Sequence, residues 1–408
     1  MEEETLRRNG SSVALVATIA LLIAACQPGA ATPGPATPTG VATPTDAATP
    51  TGAASPTGSP TGSDLQIGVV TDVGTVNDKN FNEYTYVGAK EGAAAIGHPD
   101  PENLPVAVPN SESDYGPLIQ GYVDQGFDII VTTGFNLVPA TAAAALTNRD
   151  TWFIGVDHNP CLDTQGNIDE TFACPGVVGD LLPRYIALNY AEDQAGYLAG
   201  IVAASASESN VIGAIGGVSL CAPCVRYIQG YVMGAKSVNP DITVKVAWVS
   251  DSDFRAGFAD QAGGKTFASQ FLQQNPEVDV LFQVAGLTGN GVIDAACEAG
   301  INAIGVDVDQ YQSYPASRPC ILTSAEKKLA RSVSESIKAI AAGTAQGGVV
   351  FFNAENDGIG ISPFYEAASK LPADIQQTVD TAYAGIKAGT VETCPENCGQ
   401  VPAPPIGD

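Results

Sequence analysis

From Leu65 onward the chain alternates two hydrophobic rhythms. Short, nearly continuous apolar runs rich in Val and Ile are followed by longer stretches in which apolar residues return at helical spacing. The first pattern marks strands buried on both faces and the second amphipathic helices, so their alternation predicts parallel βαβ units. A first series places strands at 66–71, 104–109, 128–133, 151–156 and 176–179, with helices over 78–96, 115–125 and 139–147. A second begins at Asn210, with strands at 211–216, 243–249, 278–284 and 303–306 and helices over 226–237, 262–274 and 289–299. Residues 192–206 read as a helix at the boundary and 324–342 as another, with 349–361 and 373–388 as closing elements. Two α/β series of this combined length exceed a single core, so two lobes of parallel sheet flanked by helices are expected.

The N-terminal stretch follows other rules. Arg7 and Arg8 precede an apolar run, 13–23, that leads into Ala24, Ala25 and Cys26. The run is too short to span a bilayer and reads as a signal peptide, 1–25. Ile23-Ala24-Ala25-Cys26 fits a lipobox, in which the Cys26 thiol receives a diacylglyceryl group, and two acyl chains suffice for stable anchoring. Residues 27–63 consist almost entirely of Pro, Thr, Gly, Ala and Ser, with a recurring Pro-Thr step and no aromatic residue. Such a composition cannot build a core and predicts a semi-extended tether, so 26–63 form the lipidated cysteine and linker.

Forty-four acidic residues against eighteen basic ones give a net charge of −26, with no run of Lys or Arg. Nucleic acid is excluded as a partner, because phosphate binding needs a cationic footprint. The two histidines, His98 and His158, stand in no metal-ligand spacing, so neither a metal site nor a cofactor is expected. Of nine cysteines, eight remain beyond Cys26. That even number in an exported chain predicts disulfides. Pairing by proximity gives Cys161 with Cys174, Cys221 with Cys224, Cys297 with Cys320 and Cys394 with Cys398, one choice among on the order of a hundred. Cys221-Ala-Pro-Cys224 also reads as a redox dithiol, although the rest of the chain does not resemble a thioredoxin fold.

Candidate chemistry concentrates in residues 67–97, where an apolar strand runs into a polar, carboxylate-rich turn and then a helix. In a parallel sheet the loop after a strand's carboxyl end opens into the crevice where ligands bind. This loop offers Asp72, Asn77, Asp78 and Asn82 for hydrogen bonding and Phe81 as a flat apolar surface, a set suited to a polar molecule with a planar ring.

These residues resemble the opening motif of the basic membrane protein (PnrA-like) family of nucleoside-binding lipoproteins, the substrate-binding subunits of ABC importers. Further blocks follow in order: Thr133-Gly134-Phe135; Asp157 at a strand end; residues 192–200; Ile212 to Gly217, followed by Val225-Arg226-Tyr227 and Gly230-Tyr231; Phe282 to Gly286; Ile304 to Gln310; and Thr323-Ser324 with Lys327. The resemblance runs from Leu65 to Val391. It implies a type I periplasmic binding protein fold, two Rossmann-like lobes joined by hinge strands. The N-terminal lobe would comprise 64–188 plus about 312–345, and the C-terminal lobe 189–311 plus about 346–400. Asn77, Asn80 and Leu287 depart from the family pattern, and the Cys221/Cys224 pair and the loop from Cys161 to Cys174 are additions to it.

In purine nucleoside-binding relatives two phenylalanines, one per lobe, sandwich the base, which implies Phe81 and Phe258 here. Asp72, Asp78, Asp157 and Asn82 would meet the base edge or its surroundings, and Asp307 and Lys327 would grip the ribose from opposite lobes. Gly134 and Gly286 would let backbone approach the ligand. Plain structural alternatives stand beside these roles: Asp78 as a helix cap, Phe258 as a core aromatic, Lys327 as a solvated helix residue and Gly286 as a strand terminator. The resemblance implies a monomeric, membrane-anchored importer subunit, working with permease and ATPase subunits, that breaks no bond. A flavin or sugar ligand, or a sensor role, are the competing readings. A nucleoside hydrolase is disfavoured because Val70 and Asn77 stand where its calcium ligands are needed.

Overall fold

The computed structural model describes residues 64–407, so the expected signal peptide, lipidated Cys26 and linker lie outside the described residues. The first half runs β1 (Ile67–Val70), α1 (Phe81–Ala95), β2 (Val106–Ala107), α2 (Tyr115–Asp124), β3 (Ile129–Thr133), α3 (Val138–Thr147), β4 (Trp152–Val156), α4 (Val178–Leu181) and β5 (Tyr185–Tyr190). It continues with α5 (Glu192–Ala206), β6 (Val211–Val218), α6 (Ala222–Val238), β7 (Thr243–Ser250), α7 (Phe254–Phe258), α8 (Gln261–Gln274), β8 (Val280–Val284), α9 (Gly286–Glu298) and β9 (Asn302–Asp307). The closing elements are α10 (Gln310–Ser313), β10 (Ile321–Lys327), α11 (Leu329–Ala341), β11 (Gly348–Phe352), β12 (Ile359–Ile361) and α12 (Ile375–Lys387).

The strands form two six-stranded sheets, β11-β5-β4-β3-β1-β2 and β12-β10-β9-β8-β6-β7. Read from the opposite edge, each has the order in which the first strand lies between the second and third, so each carries a topological switch point: β1/β3 in one sheet, β6/β8 in the other. Ligands of open α/β sheets bind outside the carboxyl ends at such points. All pairs are parallel except β10 with β12. Strands β1, β3 and β8 are buried along their whole length, as expected of mainly apolar strands in a parallel sheet covered on both faces.

Several sequence expectations give way. The strand expected at 176–179 is absent; Val178–Leu181 forms a helical turn, and the fifth strand is Tyr185–Tyr190, whose Asn189 breaks the apolar run. β2 shrinks to two residues, because Pro105 and Pro109 flank it. Residues 324–327 belong not to a helix but to β10, buried throughout between β9 and β12. Tertiary burial there overrides the helical preference of Ala, Glu and Lys.

β10 also divides the segment 312–345 that was expected in the first lobe, since it sits in the second sheet. Only α11 joins the first lobe, packed on α1; a Cβ added at Gly88 would lie 2.6 Å from Ala330 O, so nothing larger fits that crossing. β11, expected in the second lobe, pairs with β5 in the first sheet. The chain therefore passes between the sheets three times, after β5, after β10 and after β11.

Helices α5 and α6 cross at very short range. A Cβ added at Gly196 or Gly200 would stand 2.1 Å from a carbonyl of α6, and one at Gly230 or Gly234 2.0 or 1.9 Å from a carbonyl of α5. Four glycines at a spacing of four allow backbone to meet backbone. This contact sets the height of Arg226 and Tyr227 on α6 relative to Glu192 at the start of α5.

Candidate functional site

The loops at the two switch points face one cavity of about 550 Å³, open mouth and adjoining solvent included. Ten of the expected residues line it: Asp72, Asp78, Phe81, Asn82, Gly134, Asp157, Phe258, Gly286, Asp307 and Lys327. Asn77 does not, because it is exposed at the outer bend of the turn after β1. Phe135, Cys221, Pro223, Cys224, Tyr227, Val284 and Ala285 complete the lining.

On the first-lobe side the turn folds around its own carboxylates. Asp78 accepts from the backbone N–H groups of Asn80, Asn82 and Glu83 at 2.9, 2.9 and 3.0 Å, so it caps α1 while lining the cavity. Burial lifts its pKa to about 6 even though those N–H groups pull it down. Asn82 donates its amide to Asp72 Oδ1 and Asp78 Oδ2, at 3.0 and 3.1 Å. That commits the donor and leaves Asn82 Oδ1 a buried acceptor without a protein partner, as is Asp157 Oδ1. A cavity lined by spare acceptors suits a ligand rich in hydroxyl or amino donors.

Asp157 and Asp307 close equivalent strands of the two sheets, β4 and β9, and both adopt left-handed backbone, with φ of 60° and 64°. Non-glycine residues rarely do so, and the strain places both carboxylates at the cleft. Between them stands Lys327, the last residue of β10. Its Nζ lies 2.6 Å from Asp157 Oδ2, 3.2 Å from Glu192 Oε1 and 3.6 Å from Asp307 Oδ1. The rings of Phe81, Tyr190 and Tyr227 surround the ammonium at 5.2, 5.4 and 5.4 Å, within cation–π range. Lys327 and Asp307 thus come from the same sheet, a correction to the expected grip from opposite lobes; the cross-lobe partner of Lys327 is Asp157.

Charge in this cluster is unevenly shared. Glu192 bonds Arg226 Nε at 2.6 Å and faces Lys327, and these two cations hold its pKa below the usual value despite full burial. Burial raises Asp157 and Asp307, with Lys327 opposing the rise. Lys327 itself is held charged by the surrounding carboxylates. Three acids face two cations, so the cluster has more acceptor oxygens than its own cations occupy.

Phe258 ends α7, half-buried, with its ring stacked on Phe254 at 6.3 Å; Phe254 meets Phe135 of the first lobe edge-on at 5.8 Å. Gly217 leaves room for the Phe258 ring, since a Cβ there would stand 2.5 Å from it. Gly134 and Gly286, with φ of 97° and 53°, form matching turns after β3 and β8. Behind Gly134, buried His158 bonds its carbonyl through Nε2 at 3.0 Å and Tyr185 Oη through Nδ1. A carbonyl can only accept, so Nε2 carries the proton and the phenol donates to Nδ1.

The two lobes also bond directly to each other. Asn290 Nδ2 donates to Asp78 O at 2.8 Å and Ser313 Oγ to Lys79 O at 2.7 Å. Asn290 is held by Gln310, and Gln310 by Gln283, at 2.9 and 2.6 Å in a buried chain of amides.

Sequence reasoning noted the segments that carry Glu192, Arg226 and Tyr227 but gave those residues no role. The legible signal was a glutamate opening a helix of small apolar residues, where a buried charge demands a partner. The eight cysteines of the folded part are paired as Cys161–Cys174, Cys221–Cys224, Cys297–Cys320 and Cys394–Cys398.

Comparison with known proteins follows the same lines. The family model for ABC transporter substrate-binding proteins described as PnrA-like matches residues 65–386. The "ABC transporter nucleoside-binding protein BmpA" of Lactococcus lactis subsp. cremoris is 30% identical over 321 residues, 74% of this chain and 84% of its own length. Basic membrane protein A of Borreliella burgdorferi is 26% identical over 63% of this chain and 67% of its own. Among solved structures, an ABC transporter solute-binding protein from Aeropyrum pernix K1 superposes with a TM-score of 0.66 at 23% identity, over 81% of this chain and 94% of its own, a likeness of fold. The chain belongs to the PnrA-like family of ABC transporter substrate-binding proteins.

Proposed function

We propose that this protein binds a purine nucleoside in the interlobe cleft and presents it, outside the cytoplasmic membrane, to the permease and ATPase subunits of an importer. The observation that carries the reading is the pairing of two half-sites in one cavity: Phe81 and Phe258, one from each lobe, and the Asp157–Lys327–Asp307 cluster between the sheets. The rings would stack the base, worth roughly 1–3 kcal/mol in protein–nucleic-acid systems. The carboxylates would accept from ribose hydroxyls, and Asn82 Oδ1 from an exocyclic amine or ring N–H. The name of the Lactococcus relative supports a nucleoside over a sugar or flavin. Ligand held by both lobes favours closure only as far as it contacts the second, so Phe258 and Asp307 would carry the signal to the permease. The protein acts as a monomeric binder, without catalysis.

Calorimetry tests this. Adenosine, guanosine or inosine should bind, and free base or ribose much more weakly, because either half alone must still offset the cost of ordering two lobes. Phe81→Ala should cost about 1–3 kcal/mol of affinity through stacking, and Asp307→Ala a similar amount through hydrogen bonds to a charged group. Absence of nucleoside binding at millimolar concentration, or indifference to both substitutions, defeats the reading. Anchoring at Cys26 is proposed with it: Cys26→Ser should release the protein from membranes in a carbonate wash, and retention would refute the anchor.

A further inference from the structure

Both cysteines of the Cys221–Cys224 pair line the cavity, together with Pro223 between them. None of the other three disulfides does. Both residues are almost fully buried, at 2% and 5% exposure, and border the cleft. With a sequence separation of 3, this bridge closes the shortest loop of the four. It therefore restrains the unfolded chain least, and global stability is a weak reason for it. Its position is better used. Cys221 caps α6, its sulfur accepting from Cys224 N at 3.2 Å, and the same helix next presents Arg226 to Glu192 and Tyr227 to Asp307. Across the cavity stand the polar Asp72, Asp78 and Asn82. The disulfide and Pro223 form an apolar, polarizable surface opposite them, and sulfur packs favourably on aromatic rings.

We propose that the Cys221–Cys224 disulfide is a ligand-contact element of the cleft, against which the ring system of the bound molecule lies, so that opening it weakens binding and bound ligand shields it from thiol reductants. The inference rests on the nucleoside reading above and adds a wall to that site. Opening proceeds by ordinary exchange: a thiolate of an added dithiol attacks one sulfur, the S–S bond breaks, and the reagent's second thiolate resolves the mixed disulfide. Two electrons and two protons pass to the cysteines, and the reagent leaves as its cyclic disulfide.

The test uses the purified full-length protein, dithiothreitol as reductant, and alkylation at each cysteine read by peptide mass. Saturating adenosine should slow reduction at Cys221 and Cys224 by about tenfold or more, since access requires the unliganded cleft, and leave Cys161 and Cys174 unchanged. Cys221→Ser/Cys224→Ser should bind adenosine about three- to tenfold more weakly, the size of a lost sulfur–ring contact, whereas Cys161→Ser/Cys174→Ser should bind as the unaltered protein does. If the first variant fails to fold, the protection measurement on the unaltered protein decides alone. Equal reduction rates with and without bound adenosine overturn the proposal, as does full affinity in a folded variant. A protein that binds no nucleoside in either redox state overturns the nucleoside reading itself, a different pattern from equal binding in both.

Discussion

Both ring nitrogens of His158 are committed inside a buried site, so protonation would have to break a hydrogen bond and create an unpaired charge. Burial accordingly pushes its pKa down to about 3 from an ordinary 6.5. The unfolded chain therefore binds one more proton than the folded one between those values, and this group's stabilisation is complete above pH 6.5 and lost as pH falls toward 3. His158→Gln should destabilise at pH 7.5 and by roughly 2 kcal/mol less at pH 5, each pH unit being worth about 1.4 kcal/mol; urea titrations at both pH values check it. Lys327→Met should likewise do more damage as pH rises, by a different route. Removing one partner of a buried ion pair costs about 3–5 kcal/mol, and the carboxylates left behind take up protons more readily when folded. The variant should lose stability as pH rises from 5 to 8, which thermal unfolding would show. Asp157 and Asp307 were legible at the ends of apolar runs, and Lys327 only through the family resemblance. Glu192 and Arg226 were not, since 34 residues separate them and only the crossing of α5 and α6 joins them. Asn77 misled because a polar turn after a strand does not say which of its residues turn inward.

The α5–α6 crossing shows what one element can owe to a missing atom. Gly196, Gly200, Gly230 and Gly234 interlock, and Gly234 has the tightest fit. Gly234→Ala should force the helices apart, costing about 1–3 kcal/mol as overpacking does. It should also lower nucleoside affinity, because Arg226 and Tyr227 would shift from Glu192 and Asp307. A melt and a calorimetric titration on one preparation report both, and a variant stable and tight as the unaltered protein would contradict the role given to this contact. The glycine spacing was visible in the sequence; its carbonyl partners were not. Strand β10 was misread for a related reason. Its final Ala-Glu-Lys favours helix locally, and only neighbours supplied by β9 and β12, one of them more than thirty residues downstream, make it a strand.

At the scale of the molecule, most of the two sheets was readable, because buried parallel strands announce themselves as apolar runs. Lobe membership of the last third was not, since pairing across long separations leaves no local trace. The bonds from Asn290 and Ser313 link the lobes independently of any ligand. Asn290→Ala removes one such bond, worth about 0.5–1.5 kcal/mol. It should open the cleft and weaken nucleoside binding about two- to tenfold, with a larger radius of gyration by small-angle X-ray scattering in the unliganded protein. The threefold passage between sheets also bears on time. β5 meets its neighbour β11 only after every strand of the second sheet but β12 has been made, and β10 waits for β12. Neither lobe is finished as a nascent unit, and so many distant pairings slow folding and delay it toward the end of synthesis. Were the chain exported unfolded, that delay would keep it threadable until β11 and β12 exist. A fragment ending at residue 345 should stay open to protease at β5, where the full chain resists.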